Sequence, residues 1–429
     1  MLFKNFTVID ENFEIKENMC VGVEGSTIDY IGNKEPEKNY GEIIEGRGRL
    51  LMPAFYNAHA HTPMTLLRGY GGGLNLNDWL TKKIFPFEAH LTGEDVYWGT
   101  LLGIAEMVRT GTVSATDMYM HGEKMVEAVM ESGFKTNLGV GLVCFDRTKR
   151  LKDLDDYKNS KYLYENYHGA GGGRVKIDMS VHGEYTSFPG VVEEFADYSR
   201  SLGTNMHVHL SETYKEHEEC KARHGKTPAA YFNNLGMFDS PTTAAHCVWL
   251  EEEDFDIFAE KGVTAATCPV SNLKLASGIC DVKKLYEKGI NVAVATDGTA
   301  SNNNLDMIEE MKFFALMQKV KHMDPTVISP RQAVEAASLG GARAQGRKDC
   351  GVIKKGAKAD LTVINTNLPH LRPVHSLLDN IVYSAKGGDV DMTVCDGKIL
   401  YSGGEYYTID IEKAVYETEK SARRILSEL

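Results

Sequence analysis

Cysteine never occurs here in a pattern that could staple or redox-switch the chain. Cys20, Cys144, Cys220, Cys247, Cys268, Cys280, Cys350 and Cys395 are scattered, with no C-x-x-C pair and no disulfide-like spacing. This excludes a disulfide framework and predicts reduced thiols in a cytoplasmic protein. No apolar run approaches the length that spans a bilayer, and Met1-Leu2-Phe3-Lys4-Asn5-Phe6 lacks the apolar core of a signal peptide, so no membrane association is expected. Basic residues are in deficit: 47 Lys plus Arg stand against 60 Asp plus Glu, for a formal charge of −13. With no basic stripe, that balance argues against nucleic acid or an anionic membrane as partner. Internal repeats and low-complexity tracts are absent. Gly71-Gly72-Gly73 and Gly171-Gly172-Gly173 read as mobile loops, too short for linkers.

What is present describes an ordinary globular chain. Its 429 residues, 42% hydrophobic and 25% charged, suffice for one large domain plus a smaller one. The first fifty residues read as short strands, among them Phe6–Asp10, Cys20–Glu24 and Thr27–Gly32. Asp360–Ile364 and Met392–Tyr401 have the same texture near the other end. Between them, short apolar strands alternate with helical stretches such as Gly93 to Thr110 and His121 to Ser132. Eight candidate strands end near His61, Tyr119, Cys144, Gly183, Leu210, Cys247, Cys268 and Asp297. This α/β pattern predicts a (β/α)8 TIM-type barrel, whose site forms at the C-terminal strand ends. A doubly wound sheet is the alternative, but it would not gather the first, fifth, sixth and eighth strand ends around one point.

Polar residues fall where those strands end. His59 and His61 follow the run Leu50 to Phe55, and residues two apart on a strand share a face. His209 precedes Glu212 by three residues, His246 closes Thr242 to Ala245, and Asp297 closes Val292 to Thr296. Three neutral imidazoles and a carboxylate suit one divalent metal, Zn2+ first and Fe2+ next, so His59, His61, His209 and Asp297 are the expected ligands. A position remains for water, whose pKa zinc lowers to about 7. Glu212 is then placed to shuttle protons, His246 to polarise the atom under attack, and Asp297 to take the water's proton. His207 reads as a hydrogen-bonded core residue, Asp117 as a cap or supporting acid, and Trp79 as core on periodicity alone.

Taken together, the stretches His59 to Gly69, Trp79-Leu80 with Phe85-Pro86-Phe87-Glu88, His207 to Thr213, Ala244 to Val248, Ser271 to Leu275 and Thr296 to Asn303 resemble the amidohydrolase superfamily. Within it, the likeness is to the methylthioadenosine/S-adenosylhomocysteine deaminase group. Gly356 to Leu361 and Asp396-Gly397-Lys398 extend it over nearly the whole chain. The resemblance implies a barrel over 54–354 and a small β-sandwich domain built from both termini, 1–53 plus 355–429, with a C-terminal helix. It implies hydrolytic deamination of a purine nucleoside: attack at C6, protonation of the adjacent ring nitrogen by Glu212, and loss of ammonia. By the same likeness, Trp79 lines the nucleoside pocket, Glu88 binds ribose hydroxyls, and His182, Arg150 and Ser301 contact the substrate.

This chain departs from the group at two places. Members that hold the carboxylate of homocysteine carry an arginine on the third strand, where this chain has Val140. Uncharged nucleosides such as 5′-methylthioadenosine, 5′-deoxyadenosine and adenosine are therefore the expected substrates ahead of S-adenosylhomocysteine. Thr267-Cys268-Pro269 replaces His-Asn-Pro and brings the segment nearer to guanine deaminase. The alternative is accordingly a free-base deaminase for guanine, an oxidised purine, a pteridine or cytosine, and after it a catalytically inactive structural homologue. Oligomeric state is left open.

Overall fold

The computed structural model describes every residue except Asn75, and every side chain except those of Asn75 and Asn77. Five strands open the chain: β1 (Leu2–Ile9), β2 (Ile15–Glu24), β3 (Thr27–Gly32), β4 (Ile43–Glu45) and β5 (Arg49–Pro53). Ten short strands follow: β6 (Phe55–Ala60), β7 (Thr112–Met118), β8 (Lys135–Gly139), β9 (Gly141–Leu142), β10 (Val175–Ile177), β11 (Met179–Val181), β12 (Met206–Leu210), β13 (Thr242–His246), β14 (Thr264–Thr267) and β15 (Val292–Val294). The last four are β16 (Leu361–Asn365), β17 (Val390–Cys395), β18 (Lys398–Ser402) and β19 (Glu405–Tyr406).

The two ends of the chain share one sheet. Its nine strands run β19-β18-β17-β16-β5-β1-β2-β3, with β4 alongside β1. The seam is the antiparallel pairing of β5 with β16, Leu361 opposite Pro53 through Asn365 opposite Arg49. Alternate residues from both ends, among them Phe3, Phe6, Val21, Ile28, Leu361, Val363 and Val394, bury a hydrophobic cluster of their own.

The middle of the chain is α/β, with all its strands parallel. One arc runs β6-β7-β8-β10 and the other β9-β11-β12-β13-β14-β15. The third and fourth expected strands are each broken in two, and the arcs join at those breaks. Gly139 shows why the join demands glycine: a Cβ there would lie 1.9 Å from Ser180 Oγ. The outer edges, β6 and β15, meet through Asp297 N–H donating to the His59 carbonyl (3.0 Å). The Asn57 side chain adds a clasp, donating to Thr296 Oγ1 (2.7 Å) and accepting from Thr296 N–H (3.1 Å).

Helices start and stop where local chemistry directs. Gly93–Arg109 begins at Thr92, whose capping box with Asp95 satisfies the first free N–H groups, and Gly122–Ser132 ends at Gly133 in the left-handed region (φ 78°). The last helix, Ile411–Glu428, packs on Gly93–Arg109, where Arg424 donates to Asp95 (2.6 Å) and to the His90 carbonyl (3.2 Å). Among the described residues, no helix is long and apolar enough to cross a membrane.

A buried ion pair ties the terminal sheet to the parallel one. Lys135 on β8 meets Asp360, which is fully buried, and Asp396 at 2.9 Å, while Tyr56 donates to Asp360. Burial opposes the Asp360 charge, but Lys135 outweighs it and holds the carboxyl below its ordinary value. Lys135→Met leaves the buried Asp360 without a cation, while Asp396 keeps Arg174 at 3.3 Å, and should cost about 3–5 kcal/mol, read as a lower urea midpoint. Because the folded pKa of Asp360 is depressed, its contribution is present above the unfolded carboxylate value of about 4 and is lost as pH falls. The parent should therefore lose stability faster than the variant on acidification below that value; parallel acid titrations would refute the pairing.

Candidate active site

His59 lies near the end of β6 and His61 just beyond it, with their rings in edge contact at 4.8 Å between centroids. His209 on β12 brings its Nε2 to 3.2 Å from His61 Nε2. Asp297 Oδ1 lies 3.4 Å from the Nε2 atoms of both His59 and His61. Donor atoms of His59, His61 and Asp297 lie within 4.8 Å of one another, as do those of His59, His209 and His246. The chain reaches this geometry through strained turns. Ser211, His246, Cys247 and Asp297, just past or at the ends of β12, β13 and β15, all adopt positive φ between 49° and 72°.

The outer nitrogens are held from behind. His61 Nδ1 donates to the Met118 carbonyl (2.7 Å) and His209 Nδ1 to the His182 carbonyl (2.6 Å), which leaves each Nε2 with a lone pair facing inward. His59 Nδ1 contacts His207 Nε2 at 2.8 Å, and His246 Nδ1 contacts Asn272 Oδ1 at 2.9 Å. Among the described residues, His59 Nε2 is buried with no hydrogen-bond partner. Burial pushes His59 down to about 4 and His209 well below its ordinary value, so both imidazoles are neutral. Burial opposes ionisation of Asp297, but the surrounding histidines hold it well below the usual range, and its Oδ2 accepts from Ser271 (2.6 Å) and Ser301 (2.7 Å). Neutral imidazoles with an inward lone pair, beside an ionised carboxylate, fit a divalent metal.

Glu212 stands next to this cluster, its Oε2 3.9 Å from His246 Nε2. Burial raises its pKa. Burial opposes the His246 charge, yet the facing carboxylates of Glu212 and Asp297 raise it. Glu216 accepts from the backbone N–H of Ser211 (2.9 Å) and of Glu212 (2.8 Å) and so fixes the turn that aims Glu212.

A cavity of about 330 Å3 opens onto these groups. Trp79, Glu88, His182 and Ser301 line it with His61, His209, Glu212, His246 and Asp297. Trp79 is buried as part of the main hydrophobic cluster and also faces the cavity. Arg150 requires a correction: its guanidinium pairs with Glu194 at 2.7 Å, its side chain is 71% exposed, and it belongs to a separate concavity with Tyr157 and Tyr198. Val140 does line the cavity, and among the described residues no Lys or Arg does.

Four residues support the cluster: His207 and Asp117 in the structural roles their positions suggest, and Ser271 and Asn272, which the sequence left without a role. His207 stacks on His59 at 5.0 Å between centroids and braces it; its spacing two before His209 was the available signal. Asn272 and Ser271 orient His246 and Asp297, and only the Ser-Asn-Leu stretch hinted at them. Asp117, pushed up to about 6 by burial, accepts from the backbone of Thr62 (3.0 Å) and so holds the turn after His61.

Residues 50–400 match the model of the amidohydrolase family. The chain belongs to that family. Among curated relatives, a 5-methylthioadenosine/S-adenosylhomocysteine deaminase of Caldanaerobacter subterraneus subsp. tengcongensis is 40% identical over 99% of this chain and 98% of its own. One of the same description from Dictyoglomus thermophilum is 41% identical over 96% of each. Among solved structures, an adenosine deaminase from Xanthomonas campestris with bound zinc superposes with a TM-score of 0.93 at 30% identity, covering 99% of this chain and 98% of that one.

Proposed function

We propose that this chain is a hydrolytic deaminase of adenine nucleosides, replacing the 6-amino group with oxygen and releasing ammonia. The observation that carries it is Glu212 beside His246 on the wall of an apolar cavity, facing an inward-pointing set of histidines and one ionised aspartate. The shared description of full-length relatives near 40% identity supports the same reaction. His59, His61, His209 and Asp297 would hold one divalent metal, for which zinc is the first choice, as in the adenosine deaminase relative. Bound there, it supplies a water that ionises near neutral pH.

The chain's own groups then carry the protons. Asp297 takes the proton released as the water oxygen bonds to C6. Glu212 delivers one to the ring nitrogen beside that carbon, so the ring accepts the electron pair displaced from the C=N bond. As the C6–N bond breaks, the proton collected on Asp297 goes to the departing amine and ammonia leaves, while the remaining O–H proton at C6 passes to Glu212, which leaves a C6 carbonyl and restores the acid. His246 hydrogen-bonds the oxygen forming at C6 and steadies the negative charge that develops there. Trp79 stacks along the nucleoside, Glu88 accepts from the ribose hydroxyls, His182 contacts the base, and Ser301 acts by orienting Asp297.

This reading also takes the two parallel arcs as one closed (β/α)8 barrel over 54–354. It takes the nine-stranded sheet of 1–53 and 355–429 as a sandwich folded over its own core. Eight free, buried cysteines support a reducing, cytoplasmic setting. Ammonia release from zinc-loaded protein tests the function. The expected panel result is turnover of 5′-deoxyadenosine, 5′-methylthioadenosine and adenosine, with guanine and cytosine inert; turnover of bases alone would overturn the nucleoside reading.

A further inference from the structure

Four carboxylates line the cavity, and no cation does: Glu88, Asp156, Glu212 and Asp297 contribute negative charge, and among the described residues no Lys or Arg lines it. Glu212 and Asp297 belong to the reacting end. Glu88 is close enough to His61 and Tyr119 to interact with both. Asp156 is different. It is fastened to Val143, just past the end of β9, and among the described residues it shares no hydrogen bond or ion pair with the cluster histidines, so it lies on the wall apart from the reacting groups. Val143, which it holds, lines the cavity with Val140 and Gly141.

Asp156 is also uncompensated. Its Oδ2 accepts from Val143 N–H at 3.0 Å, and among the described residues no Lys, Arg or His pairs with it. Burial pushes its pKa up, the response of a carboxylate without a counter-ion. A base seated at the histidine cluster must direct its ribose, and whatever the 5′ carbon carries, into the rest of the cavity. An anionic substituent there would meet a half-buried carboxylate, whereas a cationic one would supply the missing partner.

We infer that Asp156 is a specificity determinant that selects adenine nucleosides whose 5′ substituent is cationic, an ammonium or sulfonium group, over those whose substituent is a carboxylate or phosphate. This deepens the deaminase reading and rests on it. Two ordinary roles are available to the residue without it, a favourable charge in the first turn of helix Asp155–Tyr167 and a clamp on Val143.

The test compares kcat/KM for 5′-amino-5′-deoxyadenosine, 5′-deoxyadenosine and adenosine 5′-carboxylate on the zinc-loaded parent and on Asp156→Asn. The parent should favour the amine over the carboxylate by at least about tenfold, and Asp156→Asn should lower the ratio of amine to 5′-deoxyadenosine by about tenfold to a hundredfold. Ratios taken on one preparation are unaffected by any inactive fraction, so partial misfolding of the variant does not obscure the result. An unchanged ratio overturns the inference and leaves Asp156 its clamp and helix-terminus roles. Failure of the parent on 5′-deoxyadenosine and on every other nucleoside would instead refute the deaminase reading itself.

Discussion

Glu212→Gln should lower kcat for nucleoside deamination by a factor of about 10²–10⁴ while leaving the metal content of the protein unchanged. Glutamine keeps the volume and a hydrogen-bond acceptor but cannot deliver a proton to the ring nitrogen. The separation of effects follows from position. Glu212 lies beside His246 but outside both groups of donor atoms that converge on one point. Its backbone is held independently by Glu216, so the turn survives the substitution. KM should change far less than kcat, because the proton matters only once the carbon is being attacked. Retention of kcat within tenfold, with metal in place, would remove Glu212 from the proton path.

His61→Ala should empty the site of metal and abolish activity together. The lost Nε2 is one of the inward lone pairs, 3.2 Å from that of His209 and 3.4 Å from Asp297 Oδ1. Without it Asp297 keeps His59 at 3.4 Å, but one imidazole and a carboxylate on that side hold a divalent ion far less well. Elemental analysis of the purified variant should give background metal. Chelation of the parent should reproduce the loss of ammonia release, and zinc should restore the parent alone. A variant that copurifies with the parent's metal content would show that the binding set lies elsewhere.

Legibility in the sequence tracked distance along the chain. His59 with His61, and His207 with His209, announce themselves because alternation along a strand converts a two-residue spacing into a shared face. That rule shows both histidines of β12 facing inward, but it cannot tell which is deeper; depth depends on how neighbouring strands stagger, and it is His207 that ends up behind His59. Glu212 was legible as the acid following a strand-end histidine. Glu216 was not, because a capping carboxylate reads as helix chemistry whichever side chain it steadies. Arg150 follows a strand by several residues of turn, where no periodicity constrains direction, and the nearby Glu194 claims its charge. The broken third and fourth strands escaped notice since a one-residue interruption, at Val140 or at Asp178, leaves the apolar pattern intact. The pairing of β5 with β16 lay beyond reach for a related reason: register between strands so far apart in the chain is written in neither strand alone.

That same pairing sets a schedule for biosynthesis. When β5 leaves the ribosome, the edge that β16 will cover is open, and the partner residues 361–365 are still roughly 300 codons away. At ordinary rates of elongation the gap lasts on the order of 15–60 s. Leu50, Leu51 and Met52, fully buried in the finished sheet, spend that interval beside an unpaired row of backbone donors and acceptors. The strand most exposed to wrong partners in the nascent chain is thus the one that leads directly into the histidine pair.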